Sequence, residues 1–208
     1  MDKDNNLSDW NQFFDFLKKV GNLKNTQRFS EIKMHGDSSA DHSWRLALMA
    51  SLIIDEKNLK LDKTRAIEIA LVHDLAESIT GDIDAIRVKR GEVTKEEKQK
   101  GESKAIEELK NTLRDFGGDK IKKLWLEYEE VLTGEARFIK ALDKLETLTH
   151  LIELGHEAYD EPEFMASYAD EAVKNFPELK DMLLAIKNKL REEFKKGGIP
   201  WKDDYDKI

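Results

Sequence analysis

No proline stands before residue 162 of this 208-residue chain, and the apolar residues of that long stretch recur at helical rather than strand spacing. Proline breaks helices and interrupts ladders, so its confinement to positions 162, 177 and 200 leaves room for long uninterrupted helices. Trp10, Phe13, Phe14 and Leu17 recur at helical intervals and are followed by Gly21, a natural stop. Leu23 to Ser38 reads as irregular. The next helix is expected near Ser38 or Ser39, either of which can cap it, with His42 in its first turn. Trp44, Leu48, Met49 and Leu52 read as its inward face. Lys63 to Thr80 predicts one helix ending at Gly81, a residue suited to the left-handed position beyond a helix end. Arg87 to Lys100 is a charge-rich connection passing into a helix through Ile106, Leu109 and Leu113, which Gly117-Gly118 breaks. Ile121–Leu132, Glu135 to about Tyr159 and Pro177–Phe194 supply three more. No period-two run appears, so the expectation is an all-α, single-domain fold over residues 1–208.

Composition narrows function. Hydrophobic residues make up 39% of the chain, enough for a core, and 38% charged residues imply heavily solvated helices. Lys plus Arg number 35 against 43 Asp plus Glu, a formal charge of −8, which argues against polymeric nucleic acid as the main partner. A small phosphorylated substrate needs only a few local cations. The absence of cysteine removes disulfides, thiol nucleophiles and iron–sulfur clusters, and leaves histidine and carboxylates for any metal. Met1 to Asn6 lacks an apolar signal region and no stretch approaches a membrane span, so a cytoplasmic protein without membrane attachment is expected.

His73-Asp74 is the anomaly. It sits inside Ala70-Leu71-Val72-His73-Asp74-Leu75-Ala76, where a helix buries hydrocarbon. A buried carboxylate costs several kcal/mol unless paired or bound to a metal. His42 and Asp143 offer a second imidazole and a second carboxylate, a donor set suited to a divalent transition metal. Taken singly, His42 reads equally as a helix-start histidine bonding backbone or solvent, and Asp143 as the salt-bridge partner of Lys140 or Lys144. The His73-Asp74 pair is harder to explain without an ion.

The order His, then His-Asp, then a distant Asp on separate helices resembles the HD superfamily of metal-dependent phosphohydrolases, from about Leu23 to Glu157. Within it the chain is most similar to the HD-domain 5′-deoxynucleotidases. The blocks that carry this are Ser39-Ala40-Asp41-His42-Ser43-Trp44-Arg45, Ala70 to Glu77, Thr80-Gly81-Asp82-Ile83, Leu124 to Glu129 and Glu135 to Lys144. The resemblance implies an HD-type helical bundle with the metal site between helices, its core over about 23–157 and C-terminal helices over 163–196 packed on it. It implies His42, His73, Asp74 and Asp143 as ligands of one divalent metal (cobalt, manganese, zinc, iron or nickel). Glu77 and Asp82 match the positions that orient or deprotonate the attacking water and protonate the leaving 5′-oxygen. Arg28 matches a phosphate-contacting arginine, with Phe29 where the family usually has tryptophan. It implies a nucleoside 5′-monophosphate substrate and a homodimer.

Other readings stay beside these. His35 is a candidate substrate ligand but reads better as a loop histidine, and Lys89, Arg90 and Lys95 read as a solvated run more readily than as a cover for the site. Leu75 to Leu142 holds no histidine, and His150 is seven residues, about 10 Å of helix, past Asp143, so one metal is expected. The rival functions are a cyclic-nucleotide phosphodiesterase, an alarmone hydrolase (whose branch generally has Glu-Asp where this chain has Glu77-Ser78) and a non-catalytic nucleotide sensor. An intact ligand set with Glu77 weighs against the last.

Overall fold

The computed structural model describes residues 3–29 and 36–207, with side chains from residue 9 onward except that of residue 115. His35 therefore lies outside the described residues. Helix α1, Lys3–Val20, ends where Gly21 begins a 3₁₀ turn, Gly21–Lys24. A single antiparallel bridge then joins Gln27 to Ser38, with Arg28 N–H donating to the Asp37 carbonyl at 3.0 Å. This clasp sets Arg28 against the start of α2, Ser39–Glu56. Ser38 is the cap, in a reciprocal capping box with Asp41 that satisfies otherwise orphaned backbone donors.

α2 does not bury the expected face. His42, Ser43, Leu46, Ala50 and Ile54 point inward, while Trp44, Leu48 and Leu52 lie outside and Trp44 is 64% exposed. Both stripes of this helix are apolar, so hydrophobicity alone cannot choose between them. The stripe that turns in carries His42 and lets α3 and α8 approach over Ala50. α1 behaves similarly: Phe16 is buried and Phe13 partly so, whereas Trp10, Phe14 and Leu17 are exposed.

The expected helix over Lys63–Thr80 divides. α3, Lys63–Val72, and α4, Glu77–Thr80, are separated by a turn in which Leu75, Glu77, Ser78 and Ile79 donate to carbonyls three residues back. The backbone stays right-handed but tightens to 3₁₀ pitch. Gly81 then takes φ 73°, ψ 167°, a region essentially closed to other residues. After it come α5, Ala85–Lys89, and α6, Lys95–Leu113, which starts inside the charged run on a capping box between Thr94 and Glu97. Gly117, with φ 117°, separates α6 from α7, Gly118–Glu129.

α8, Gly134–Leu154, is buried on nearly every side, from Ala136 through Leu151. A helix covered all round belongs at the centre; α2, α3 and α7 pack on it. α9, Pro162–Ser167, follows with proline in its first turn, then α10, Asp170–Lys174, and α11, Lys180–Lys196. α10 and α11 also pack on α8. The fold is all-α: among the described residues there is no strand beyond the one bridge, and no helix is long and apolar enough to cross a membrane.

Candidate metal centre and cleft

Four side chains converge where α2, the end of α3 and α8 meet. His42 Nε2 lies 3.2 Å from His73 Nε2 and 3.2 Å from Asp143 Oδ1. Asp74 Oδ2 is 3.1 Å from His73 Nε2 and 3.8 Å from His42 Nε2. The ligand atoms of His42, His73 and Asp143 lie within 4.8 Å of one another, and all three residues are buried. The sequence-predicted ligands are thus brought to one point.

Their hydrogen bonds test whether a cation fits there. His73 Nδ1 is 2.8 Å from the Ala70 carbonyl, which can only accept, so the proton sits on Nδ1. His42 Nδ1 is held in the same way by the Glu146 carboxylate. With both rings neutral the Nε2 lone pairs face each other beside two carboxylates, an arrangement that draws a positive charge, a proton on His42 or a cation, between them. The electrostatics agree. Burial and Arg28 oppose protonation of His42, yet Asp143 and Glu146 push its pKa up to about 9. Ligands about 2.0–2.2 Å from a shared ion stand roughly 3–3.6 Å apart; His42–His73, His42–Asp143 and His73–Asp74 fall in that range, and His42–Asp74 at 3.8 Å lies just beyond it.

Supporting groups fix the ligands further. Tyr128 donates to Asp143 Oδ2 at 2.9 Å and Lys144 Nζ lies 3.2 Å from the same oxygen, leaving Oδ1 for the centre. Burial alone would raise the Asp143 pKa, but Lys144 and His42 hold it well below the usual carboxylate range. The salt bridge expected for Asp143 is present, with Lys144, on one oxygen, and the other oxygen faces His42. Lys140 instead pairs with Glu129 at 3.3 Å.

Three of the four, His73, Asp74 and Asp143, line a cleft of about 390 Å³, a size suited to a small ligand. Glu77 and Asp82 line it beyond Asp74. Because the turn is tight, Glu77 aligns with Asp74, three residues back, rather than with His73. Ser39 donates to Glu77 Oε2 at 2.6 Å, which the cap at Ser38 leaves it free to do. Burial, then Asp74 and Asp82, keeps the Glu77 pKa well above normal against the Ser39 bond. Asp82, past Gly81, is pushed up to about 6, chiefly by burial and against the pull of Lys98 and Arg28. Lys98 Nζ donates to the Ile83 carbonyl at 2.9 Å and so ties down the loop that carries Asp82.

Arg28 lines the cleft too, and is nearly buried. Its Nη1 faces Asp37 and Glu146, each at 3.3 Å, and its Nη2 donates to Thr147 at 2.9 Å, leaving donors on Nε and Nη2. Phe29 is held at φ 55° with its ring stacked on His150 at 5.8 Å. Lys89 and Arg90 pair with Glu161 ahead of α9, and Lys95 lines the cleft rim. The lining also has an apolar part: Leu148, Leu151, Phe164 and Met165. His150 stands apart from the ligands, 3.5 Å from Asp37 Oδ1.

The sequence pattern of the HD domain family matches residues 20–180. The chain belongs to the HD domain family. A curated relative, the 5′-deoxynucleotidase HDDC2 of Xenopus laevis, is 36% identical to this HD domain protein over 176 residues, 82% of this chain and 84% of the relative. The 5′-deoxynucleotidase hdd1 of Schizosaccharomyces pombe is 37% identical over 146 residues, 66% of this chain and 70% of that one. A solved structure titled "Predicted metal-dependent phosphohydrolase", from Magnetospirillum magnetotacticum MS-1, superposes with a TM-score of 0.74 over 93% of this chain and 100% of its own at 24% identity, a likeness of fold. Sequence reasoning on this HD domain missed Ser39 as the partner of Glu77, Tyr128, Glu146 and Lys98. Glu146 carried a usable signal: it stands in Leu145-Glu146-Thr147-Leu148, an acid in an apolar run like Asp74.

Proposed function

We propose that this protein is a metal-dependent 5′-deoxynucleotidase, an HD phosphohydrolase that cleaves deoxyribonucleoside 5′-monophosphates to nucleoside and phosphate. The observation that carries the reading is the pair of Nε2 lone pairs 3.2 Å apart among carboxylates, at a cleft that Glu77 and Asp82 also line. The names of the curated relatives point the same way. His42, His73, Asp74 and Asp143 would hold one divalent transition metal. Such an ion supplies a more acidic water and polarisation of a phosphoryl oxygen.

The chain's own residues do the rest. Arg28 and Lys98 offer positive charge to the phosphate. Glu77, oriented by Ser39, takes the proton of the attacking water on its carboxylate. Asp82, whose burial favours the protonated form, gives a proton to the leaving 5′-oxygen. The apolar part of the lining, from Leu148 to Met165, receives the nucleoside. One ion rather than two is supported by the position of His150 beside Asp37, away from the ligands. The expected homodimer is supported by the outward stripe Trp44, Leu48 and Leu52 on α2, which water would otherwise cover.

A phosphate-release panel tests the function: 5′- and 3′-deoxynucleotides, ribonucleotides and cyclic dinucleotides, each against manganese, cobalt, zinc, iron and nickel. Release from 5′-monophosphates and not from 3′-monophosphates or cyclic diesters is expected. Turnover of cyclic dinucleotides above that of every monophosphate would reverse the reading.

A further inference from the structure

Behind the metal centre lies a second layer of charge that the proposed chemistry does not use. Glu146 is fully buried, one turn beyond Asp143 on α8. A carboxylate there is costly unless every lone pair finds a donor. Oε2 accepts from His42 Nδ1 and faces Arg28 Nη1 at 3.3 Å. Oε1 accepts from Arg45 Nε at 2.6 Å. Burial works against its charge, but these partners bring its pKa down to about 2.

The geometry repeats across the interface of two helices. α2 contributes His42 to the centre and, three residues on, Arg45 to the layer behind; α8 contributes Asp143 to the centre and, three residues on, Glu146 behind. The same carboxylate also touches Arg28, the cation of the phosphate end, which Asp37 and Thr147 hold from its other sides. Asp37, His42 and Glu146 could by composition hold an ion of their own. Arg28 Nη1 already stands 3.3 Å from both Asp37 and Glu146, so the positive charge of that pocket is a guanidinium.

We propose that Glu146 is a positioning residue that ties the metal end of the cleft to its phosphate end. It holds the His42 ring with Nε2 turned to the ion, and through the same oxygen it holds Arg28 at the substrate. Removing it loosens both at once. Its metal half rests on the metal centre proposed above, and its substrate half on the nucleotidase reading.

Glu146→Gln keeps the shape and removes the charge. Competition against a chromophoric chelator, with manganese and with zinc, reads metal affinity without any substrate. A supporting contact to a metal-bound histidine is worth about 10–100-fold, and that weakening is expected. KM for a 5′-monophosphate at saturating metal should rise as well, because Arg28 loses a fixed neighbour. Asp170→Asn, which removes the carboxylate paired with the buried Lys187, neither residue lining the cleft, is the control for general destabilisation and should leave metal affinity unchanged. Affinity within twofold of the unaltered protein, or an equal loss in the control, overturns the proposal. Loss of a second equivalent of bound metal overturns it too, since Glu146 would then be a ligand. Should Glu146→Gln not fold, Glu146→Asp, which withdraws the carboxylate from His42 and Arg28 by one methylene, is held to the same criteria. An unaltered protein inactive on every monophosphate would defeat the nucleotidase reading and leave the metal comparison standing.

Discussion

The two walls of the cleft are built differently. On the wall made by α2 and α8, each ligand is gripped from behind: His42 by Glu146, Asp143 by Tyr128 and Lys144, Glu146 in turn by Arg45 and Arg28. On the wall made by α4, the loop after Gly81 and α6, the carboxylates have few supports. Glu77 has Ser39, and Asp82 rides on a loop tied by one bond from Lys98 to Ile83. The first wall holds its acids ionised, with Asp143 driven well below its ordinary range. The second holds its acids up, Glu77 and Asp82 both favouring the proton. A wall of fixed negative charge suits a cation; a wall of carboxyls that burial pushes toward the protonated form suits proton transfer. The difference separates binding from chemistry.

Substitutions on each side should therefore fail in different ways. The largest effect is expected from Asp143→Ala. Metal affinity should fall by more than the roughly 10–100-fold of a supporting contact, and phosphate release should drop to background. Elemental analysis after dialysis checks it, and full metal occupancy would collapse the distinction between the walls. Glu77→Ala comes next: kcat lower by about 10²–10⁴-fold with metal content near normal. If Glu77→Ala strips the metal as Asp143→Ala does, Glu77 belongs to the first wall.

Asp82 sharpens the contrast through pH. Its carboxyl carries the proton below about 6 and loses it above. As proton donor it predicts that kcat declines as pH climbs through that value, and that Asp82→Asn, slower throughout, lacks this limb. A pH–rate profile of the two proteins decides. The smallest effect is expected from Ser39→Ala. An ordinary side-chain hydrogen bond contributes about 0.5–1.5 kcal/mol, so loosening Glu77 should cost roughly two- to tenfold in kcat. Metal affinity should not move.

How much of this was legible in the sequence follows from what each signal measures. Helix existence was readable because apolar periodicity and the late prolines report it directly, and the glycine stops at Gly21, Gly81 and Gly117 match breaks in the chain. The His73-Asp74 pair was readable because polar residues in an apolar run demand an account, and the resemblance to the HD pattern linked it to His42 and Asp143. The inward face of α2 was not, since two apolar stripes compete and the smaller one wins by close packing around Ala50. The division between α3 and α4 was not, because every residue from Ala70 to Ala76 tolerates a helix and only hydrogen-bond spacing distinguishes the tight turn. Ser39, Lys98 and Glu146 escaped because a serine or charged residue within a helix resembles a cap or a solvated face. Their partners lie 15 to 104 positions away.

The tight turn after Val72 acts as a length standard. At 3₁₀ pitch the chain advances about 2.0 Å per residue and turns fully every three, so Glu77 stands directly above Asp74 at about 6 Å along the axis. Continued α-helix would shorten that step to about 4.5 Å and swing Glu77 to one side by some 60°. The backbone thus sets the spacing between Asp74, a proposed ligand, and Glu77, the carboxylate proposed to handle water. A one-residue insertion between Asp74 and Glu77 would turn the Glu77 carboxylate away from Asp74 without altering the sequence of the proposed ligand set.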